Sequence, residues 1–204
     1  MPIRNSETVT QPTLTTPRLL LRPFSLNDAA DVQRLAGDRE VASTTLLVPH
    51  PYEDGLAEKW IASHAELYER SEQANFALVR RDSGEFIGAI GLVLHLADER
   101  AELGYWIGVP YWGHGYCTEA GAAVLEYAFI ERGLHRVQAH HFGRNPASGR
   151  VMKKLGMQYE GTQRQFHKKW GQFEDRVTYA ILRNEYRGNT RPASQRPIFL
   201  GLVS

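Results

Sequence analysis

The ten residues Tyr111-Trp112-Gly113-His114-Gly115-Tyr116-Cys117-Thr118-Glu119-Ala120 constrain this chain more than any other segment, because they lie between an expected strand at 101–109 and an expected helix at 116–132. Two glycines one residue apart let backbone N–H groups turn inward with no Cβ in the way, and a helix start adds unpaired amides and the positive end of its dipole. Such a turn suits an anion, and phosphate is the anion to expect. A Walker loop needs Gly-Lys followed by Ser or Thr, and none follows Gly113 or Gly115. A dinucleotide loop reads G-x-G-x-x-G, but Thr118 stands in the third glycine's place and the unit follows a meander instead of opening a βαβ repeat.

The meander is read from three successive strand patterns at 75–81, 85–96 and 101–109, separated by turns at Asp82-Ser83-Gly84 and near Asp98. Before it, a strand is expected over 18–24. Ser25 then caps a helix that carries Asp28 in its first turn and runs to Gly37, and a longer helix after Pro51 repeats Leu56, Trp60, Ile61, Ala65 and Tyr68 on one side. After the glycine loop, a strand is expected over 137–142. Asn145-Pro146 opens a helix that Gly156 closes, and a hairpin over 157–169 and 173–182 turns at Trp170-Gly171. Residues 1–14 read as a flexible segment, 15–187 as one domain, and 188–204 as a polar tail interrupted by the apolar run Ile198-Phe199-Leu200.

The 204 residues are enough for a sizeable core without disulfide or structural metal. Twenty-four Lys and Arg against 23 Asp and Glu give a net charge of +1, so no global field favours nucleic acid or an anionic membrane as partner. The single cysteine excludes an intrachain disulfide, the N-terminus lacks the apolar core of a signal peptide, and no apolar run approaches a membrane span. A cytoplasmic location is expected.

An ordered set of motifs resembles the GNAT superfamily of acyl-CoA-dependent N-acyltransferases, and within it the branch of ribosomal-protein N-terminal acetyltransferases. The matching residues are Thr16-Pro17-Arg18-Leu19-Leu20-Leu21-Arg22, Glu102-Leu103-Gly104-Tyr105-Trp106-Ile107, and Trp112-Gly113-x-Gly115-Tyr116-Cys117-Thr118-Glu119-Ala120. Asn145-x-x-Ser148-x-Arg150-Val151, Lys154-Leu155-Gly156-Met157 and Glu160-Gly161 follow in family order. Pro110 departs from the Gln or Arg often found three residues before the first loop glycine.

The resemblance implies an α+β fold, a mostly antiparallel mixed sheet of about seven strands flanked by about four helices. It also implies acetyl-CoA as acyl donor, an amine as acceptor and no metal. Trp106, Ile107 and Val109 would lie along the pantetheine arm, with an N–H near Ile107 polarising the thioester carbonyl. Trp112 and the amides of Gly113, His114, Gly115, Tyr116 and Cys117 would surround the pyrophosphate, and Asn145 and Ser148 would approach the thioester end. Related proteins are often homodimers, and the 198–200 run offers a contact for a second copy.

Two proton transfers remain. Glu102 is the candidate base, against an ordinary ion-paired carboxylate, and Ser148 the candidate donor to the departing thiolate. Asn145 also suits a plain helix cap, Glu119 suits a helix dipole, and Arg150, Lys153 and Lys154 suit a solvated helix face. Cys117 at a helix start is an alternative nucleophile, although direct transfer needs none. His140 and His141 are adjacent on a strand and point to opposite faces, so they do not share a metal. The expected activity is acetyl transfer to a primary amine, with a protein N-terminal α-amine as first acceptor. Small amines such as polyamines, amino acids or aminoglycosides, and a noncatalytic acyl-CoA sensor, are the alternatives.

Overall fold

Half-buried strands rich in β-branched and aromatic residues need neighbours on both edges, and the computed structural model, which describes residues 10–188, joins eight of them into one sheet. The strands are β1 (Leu14–Thr15), β2 (Leu19–Arg22), β3 (Gln73–Arg80), β4 (Phe86–His95), β5 (Arg100–Ile107), β6 (Arg136–Phe142), β7 (Gln158–Lys169) and β8 (Gln172–Leu182). Their order across the sheet is β1-β2-β3-β4-β5-β6-β8-β7. Every pairing is antiparallel except β5 with β6. That one parallel pair requires a crossover, which the glycine loop and the following helix supply.

The helical segments are α1 (Ala29–Ala36), α2 (Arg39–Thr44), α3 (Leu56–Ala62), α4 (His64–Glu69), α5 (Tyr116–Glu126) and α6 (Pro146–Lys154). Alternation along β5 sends Ala101, Leu103 and Ile107 to one face, where they pack with Ala120, Ala123 and Val124 of α5 and Met152 of α6. The opposite face carries Trp106, which joins Phe86, Val32 and Leu35 of α1, and Ala57 and Ile61 of α3. Burial of side chains such as Phe76, Ile87 and Phe129 contributes about 1.5–3 kcal/mol each.

The expected elements appear with five differences. Leu14, assigned by sequence to the flexible segment, is fully buried and pairs with Leu21, so the sheet starts earlier than expected. Ser25 caps a short 3-10 turn, Leu26–Asp28, through a reciprocal Ser25–Asp28 capping box, and α1 follows from it. The segment after Pro51 is two helices divided at Ser63, and α2, capped by Asp38, is too short to carry a helical period. The helix of α5 continues into a π-helical turn, Tyr127–Glu131. The 198–200 run lies outside the described residues.

The feature that positions a site is the brevity of the parallel pairing. Arg100, Ala101 and Glu102 face Arg136, Val137 and Gln138, and there the β5–β6 register stops. Beyond it β5 stays with β4 to Ile107, and β6 stays with β8 to Phe142. The two strands therefore diverge, each with an unpaired inner edge.

His64 sits under the second core cluster, its ring edge-on to Phe24 at 5.0 Å and to Trp60 at 4.5 Å. Burial pushes its imidazole down to about 4, so the fold holds it neutral while an unfolded chain protonates near the ordinary histidine value. The unfolded state thus binds more protons as pH falls from about 6.5 towards 4, and stability must fall over that window. Urea unfolding at pH 7.5 and 4.8 should show a stability loss about 2 kcal/mol smaller in His64→Leu than in the wild type; equal losses in both would contradict this role.

Candidate active site

The inner edge of β5 is defined by which backbone groups β4 has already taken. Gly108 N–H donates to the Ile87 carbonyl at 2.9 Å, and Ala89 stands opposite Trp106. In an antiparallel ladder hydrogen-bonded pairs alternate, so Trp106 points its N–H and C=O into β4 while those of Tyr105 and Ile107 point into the gap. A Cβ at Gly88 would lie 2.3 Å from the Trp106 oxygen, which confirms that direction. The backbone groups that the 106–109 segment turns toward the gap are therefore those of Ile107, not of Trp106. The Ile107 carbonyl accepts the Trp112 indole N–H at 2.7 Å, so Ile107 offers the gap its N–H and not its carbonyl.

The glycine loop lies at the end of this edge. Val109–Tyr111 form a 3-10 turn, and Gly113 and Gly115 each have φ of 78°, a left-handed conformation that favours glycine. The N–H groups of Gly113, His114 and Gly115 have no hydrogen-bond partner among the described residues. The first intrahelical bond of α5 runs from Glu119 N–H to the Gly115 carbonyl at 3.0 Å, so the amides of Tyr116, Cys117 and Thr118 are free as well. His114 is exposed and stacks on Tyr116 at 5.7 Å, and Arg18 covers the other ring contact at 4.7 Å.

Glu119 takes no part in this donor set. Its carboxylate accepts from Thr16 Oγ1 at 2.6 Å, from Arg18 N–H at 2.9 Å and from Arg18 Nε at 2.6 Å. It fastens the chain ahead of β2 to the first turn of α5, and Arg18 also donates to the His114 carbonyl. Arg150, Lys153 and Lys154 are exposed, as a solvated helix face requires.

On the α5/α6 face, the Tyr105 hydroxyl lies 2.8 Å from Ser148 Oγ. Burial pushes the Tyr105 phenol well above its ordinary range, so it stays protonated. Asn145 accepts the Ser148 N–H at 3.3 Å and caps α6, consistent with its structural role. Burial also pushes the Cys117 thiol up to about 12, and a thiol so held is a poor nucleophile.

On the opposite face, Glu102 belongs to a polar cluster. Its Oε1 lies 3.2 Å from His140 Nδ1, and its Oε2 accepts from Gln138 Nε2 at 3.2 Å and Arg176 Nη2 at 3.3 Å. The hydrogen bond from His140 leads these causes in lowering its carboxyl to about 2. Sequence reading treated His140 only as a metal candidate and did not assign Arg176 or the Tyr105 hydroxyl. The contacts depend on the splay and on the β6–β8 register, which the local pattern does not contain. Among the described residues no group of three or more His, Cys, Asp or Glu is placed to hold a metal, and no helix is long and apolar enough to cross a membrane.

Known proteins match this chain in both sequence and fold. Residues 18–158 match the acetyltransferase (GNAT) domain, and the chain belongs to that family of N-acetyltransferases, which use acetyl-CoA. It is 34% identical over 174 residues to the uncharacterized N-acetyltransferase YoaA of Bacillus subtilis (strain 168), covering 84% of this chain and 97% of that protein. It is 29% identical over 178 residues to the [ribosomal protein uS5]-alanine N-acetyltransferase of Escherichia coli (strain K12), covering 82% and 89%. A GNAT-family acetyltransferase structure from Bacillus anthracis superposes with a TM-score of 0.75 at 27% identity, covering 84% of this chain and 99% of that one.

Two substitutions test these assignments. Glu119→Ala removes the shared acceptor of one buried donor, the Thr16 hydroxyl, and of two part-buried donors on Arg18, and should lower unfolding stability by about 1–3 kcal/mol in a urea titration. A loss below about 0.5 kcal/mol would contradict the fastening role. Cys117→Ala should keep acetyl transfer within about twofold of wild type; a loss of a hundredfold or more, in the range expected for a lost nucleophile, would restore it to the mechanism.

Proposed function

We propose that this protein transfers the acetyl group of acetyl-CoA directly to a primary amine within a ternary complex, and that the acceptor is a protein N-terminal α-amine. The observation that carries this reading is the open inner edge of β5, with its free Ile107 N–H, running into a loop of unpaired amides. An extended pantetheine arm is a suitable partner for such an edge, and a pyrophosphate for such a loop. Acetyl-CoA supplies the activated acyl group.

This chain's residues divide the remaining work between the two faces of the sheet. The Ile107 N–H is placed to stabilise negative charge on the thioester oxygen as the amine attacks. Tyr105 and Ser148 form a hydroxyl pair on the α5/α6 face that can return a proton to the departing sulfur. The polar cluster around Glu102 lies on the other face, where the amine would enter. With all three of its polar contacts to neighbouring side chains, Glu102 is already an ion-paired carboxylate and a weak base.

The acceptor class is supported by proton energetics and by likeness. Making an α-amine neutral near pH 7.4 costs less than about 1 kcal/mol, against roughly 4 kcal/mol for a lysine side chain. The uS5-alanine N-acetyltransferase is among the relatives matched over most of both chains. A polyamine site calls for a surplus of carboxylates, whereas Glu102 is balanced by Arg176.

Thiol release from acetyl-CoA should be measured over peptides with free N-terminal Ala or Ser, lysine peptides, spermidine and aminoglycosides. The N-terminal peptides should give the highest kcat/KM. A preference for a small amine would overturn the acceptor assignment, and CoA binding with no turnover on any amine would point to a sensor. Ser148→Ala and Tyr105→Phe should each reduce kcat by about 10- to 100-fold with little change in CoA affinity. Unchanged kcat in both would remove the hydroxyl pair from the mechanism.

A further inference from the structure

The divergence of β5 and β6 places two positions across from each other just beyond the last paired residues. Gly104 follows Glu102 by two along β5, and His140 follows Gln138 by two along β6, so both lie on the face that carries Glu102. Gly104 is exposed, and a Cβ added there would meet nothing within 4 Å. The space above Gly104 is therefore open, and Ile107, whose N–H enters the gap, lies three residues further along β5.

The His140 ring is turned so that its two nitrogens have different environments. Nδ1 lies 3.2 Å from Glu102 Oε1 and 3.3 Å from Arg176 Nη2. A guanidinium can only donate, and Arg176 Nη2 already has Glu102 Oε2 as acceptor at 3.3 Å. The carboxylate thus favours the tautomer with hydrogen on Nδ1. His140 Nε2 has no partner among the described residues, and it is not one of the solvent-sealed nitrogens, in contrast to His167 Nε2 and Arg176 Nε. A lone pair on a half-buried imidazole is then left reachable from solvent, with the ring held at Nδ1 by a carboxylate.

We propose that His140, held by Glu102, is the group that takes the proton from the acceptor amine; this rests on the acetyltransferase reading above. The acceptor ammonium gives one proton to His140 Nε2, which passes it to solvent. The neutral nitrogen forms the new bond to the thioester carbonyl carbon, the carbon–sulfur bond breaks with its electron pair going to sulfur, and the nitrogen gives its second proton to the emptied His140 Nε2 and so to solvent, from which the Tyr105–Ser148 pair regains the proton it gives to sulfur. The sulfur gains one proton through the Tyr105–Ser148 pair on the other face, so the products are the acetamide and the free CoA thiol. Glu102 is a positioning residue in this scheme: its hydrogen bond to Nδ1 fixes the tautomer and balances the imidazolium. The charged or titratable groups facing His140 are Glu102 from β5, Arg176 from β8 and His167 from β7, whose ring stacks on it at 5.4 Å.

The test compares His140→Gln, His140→Ala and Glu102→Gln in the full chain, using an N-terminal Ala peptide and spermidine as acceptors. Calorimetric binding of CoA and the thermal midpoint establish that each variant is folded. His140→Gln should lose about 100-fold or more in kcat with CoA affinity retained. Free imidazole should restore His140→Ala at least tenfold, with saturation, and should leave Glu102→Gln unchanged. Turnover in folded His140→Gln within about threefold of wild type, or no imidazole rescue of folded His140→Ala, would overturn the proposal. Wild-type protein that binds CoA but acetylates neither acceptor would instead count against the acceptor classes in the parent reading, and the same variants would then be run on whichever amine of the wider panel supports turnover.

Discussion

The structure depends on one mismatch: β5 and β6 pair over only three residues, although each is held along its full length by its other neighbour. A parallel pair that continued would have closed the sheet and sealed its middle with hydrogen bonds. By diverging, the strands leave a slot between two packed layers. The core on the α5/α6 face packs on both strands, and the cluster under α1 and α3 covers β5 at Trp106 on the opposite face. Donor-binding groups, the proton donor pair and the polar cluster around Glu102 all take their places from this slot.

In the proposed reaction the sheet also separates two proton transfers that must not short-circuit. Tyr105 and Glu102 are three residues apart on one strand, so alternation sends them to opposite faces. Burial keeps Tyr105 protonated on one side, while His140, Gln138 and Arg176 keep Glu102 ionised on the other. The group proposed to give a proton and the group proposed to help remove one are thereby kept distinct by strand geometry. Cys117 illustrates the same control from the opposite direction: the burial that suits the phenol also makes the thiol inert.

Much of the fold was legible in the sequence because its signals are local. The turns at Asp82-Ser83-Gly84 and Trp170-Gly171, the Asn145-Pro146 helix start and the two-glycine loop each carry their geometry in a few adjacent residues. β1 and α2 were missed because two and six residues respectively are too short to show a period. The roles within the site were less legible. Nothing near Glu119 in sequence announces Thr16 and Arg18 as its partners, and nothing near His140 announces Glu102 and Arg176. Trp106 shows the same limit, since the direction of its backbone is set by the register of β4.

Amide hydrogen exchange with and without CoA tests the central claim most directly, because that claim concerns particular N–H groups. The account predicts at least tenfold slower exchange, on CoA binding, for Ile107 and for the loop amides of 113–118. CoA binding that leaves these amides unchanged and protects a different part of the chain would contradict it.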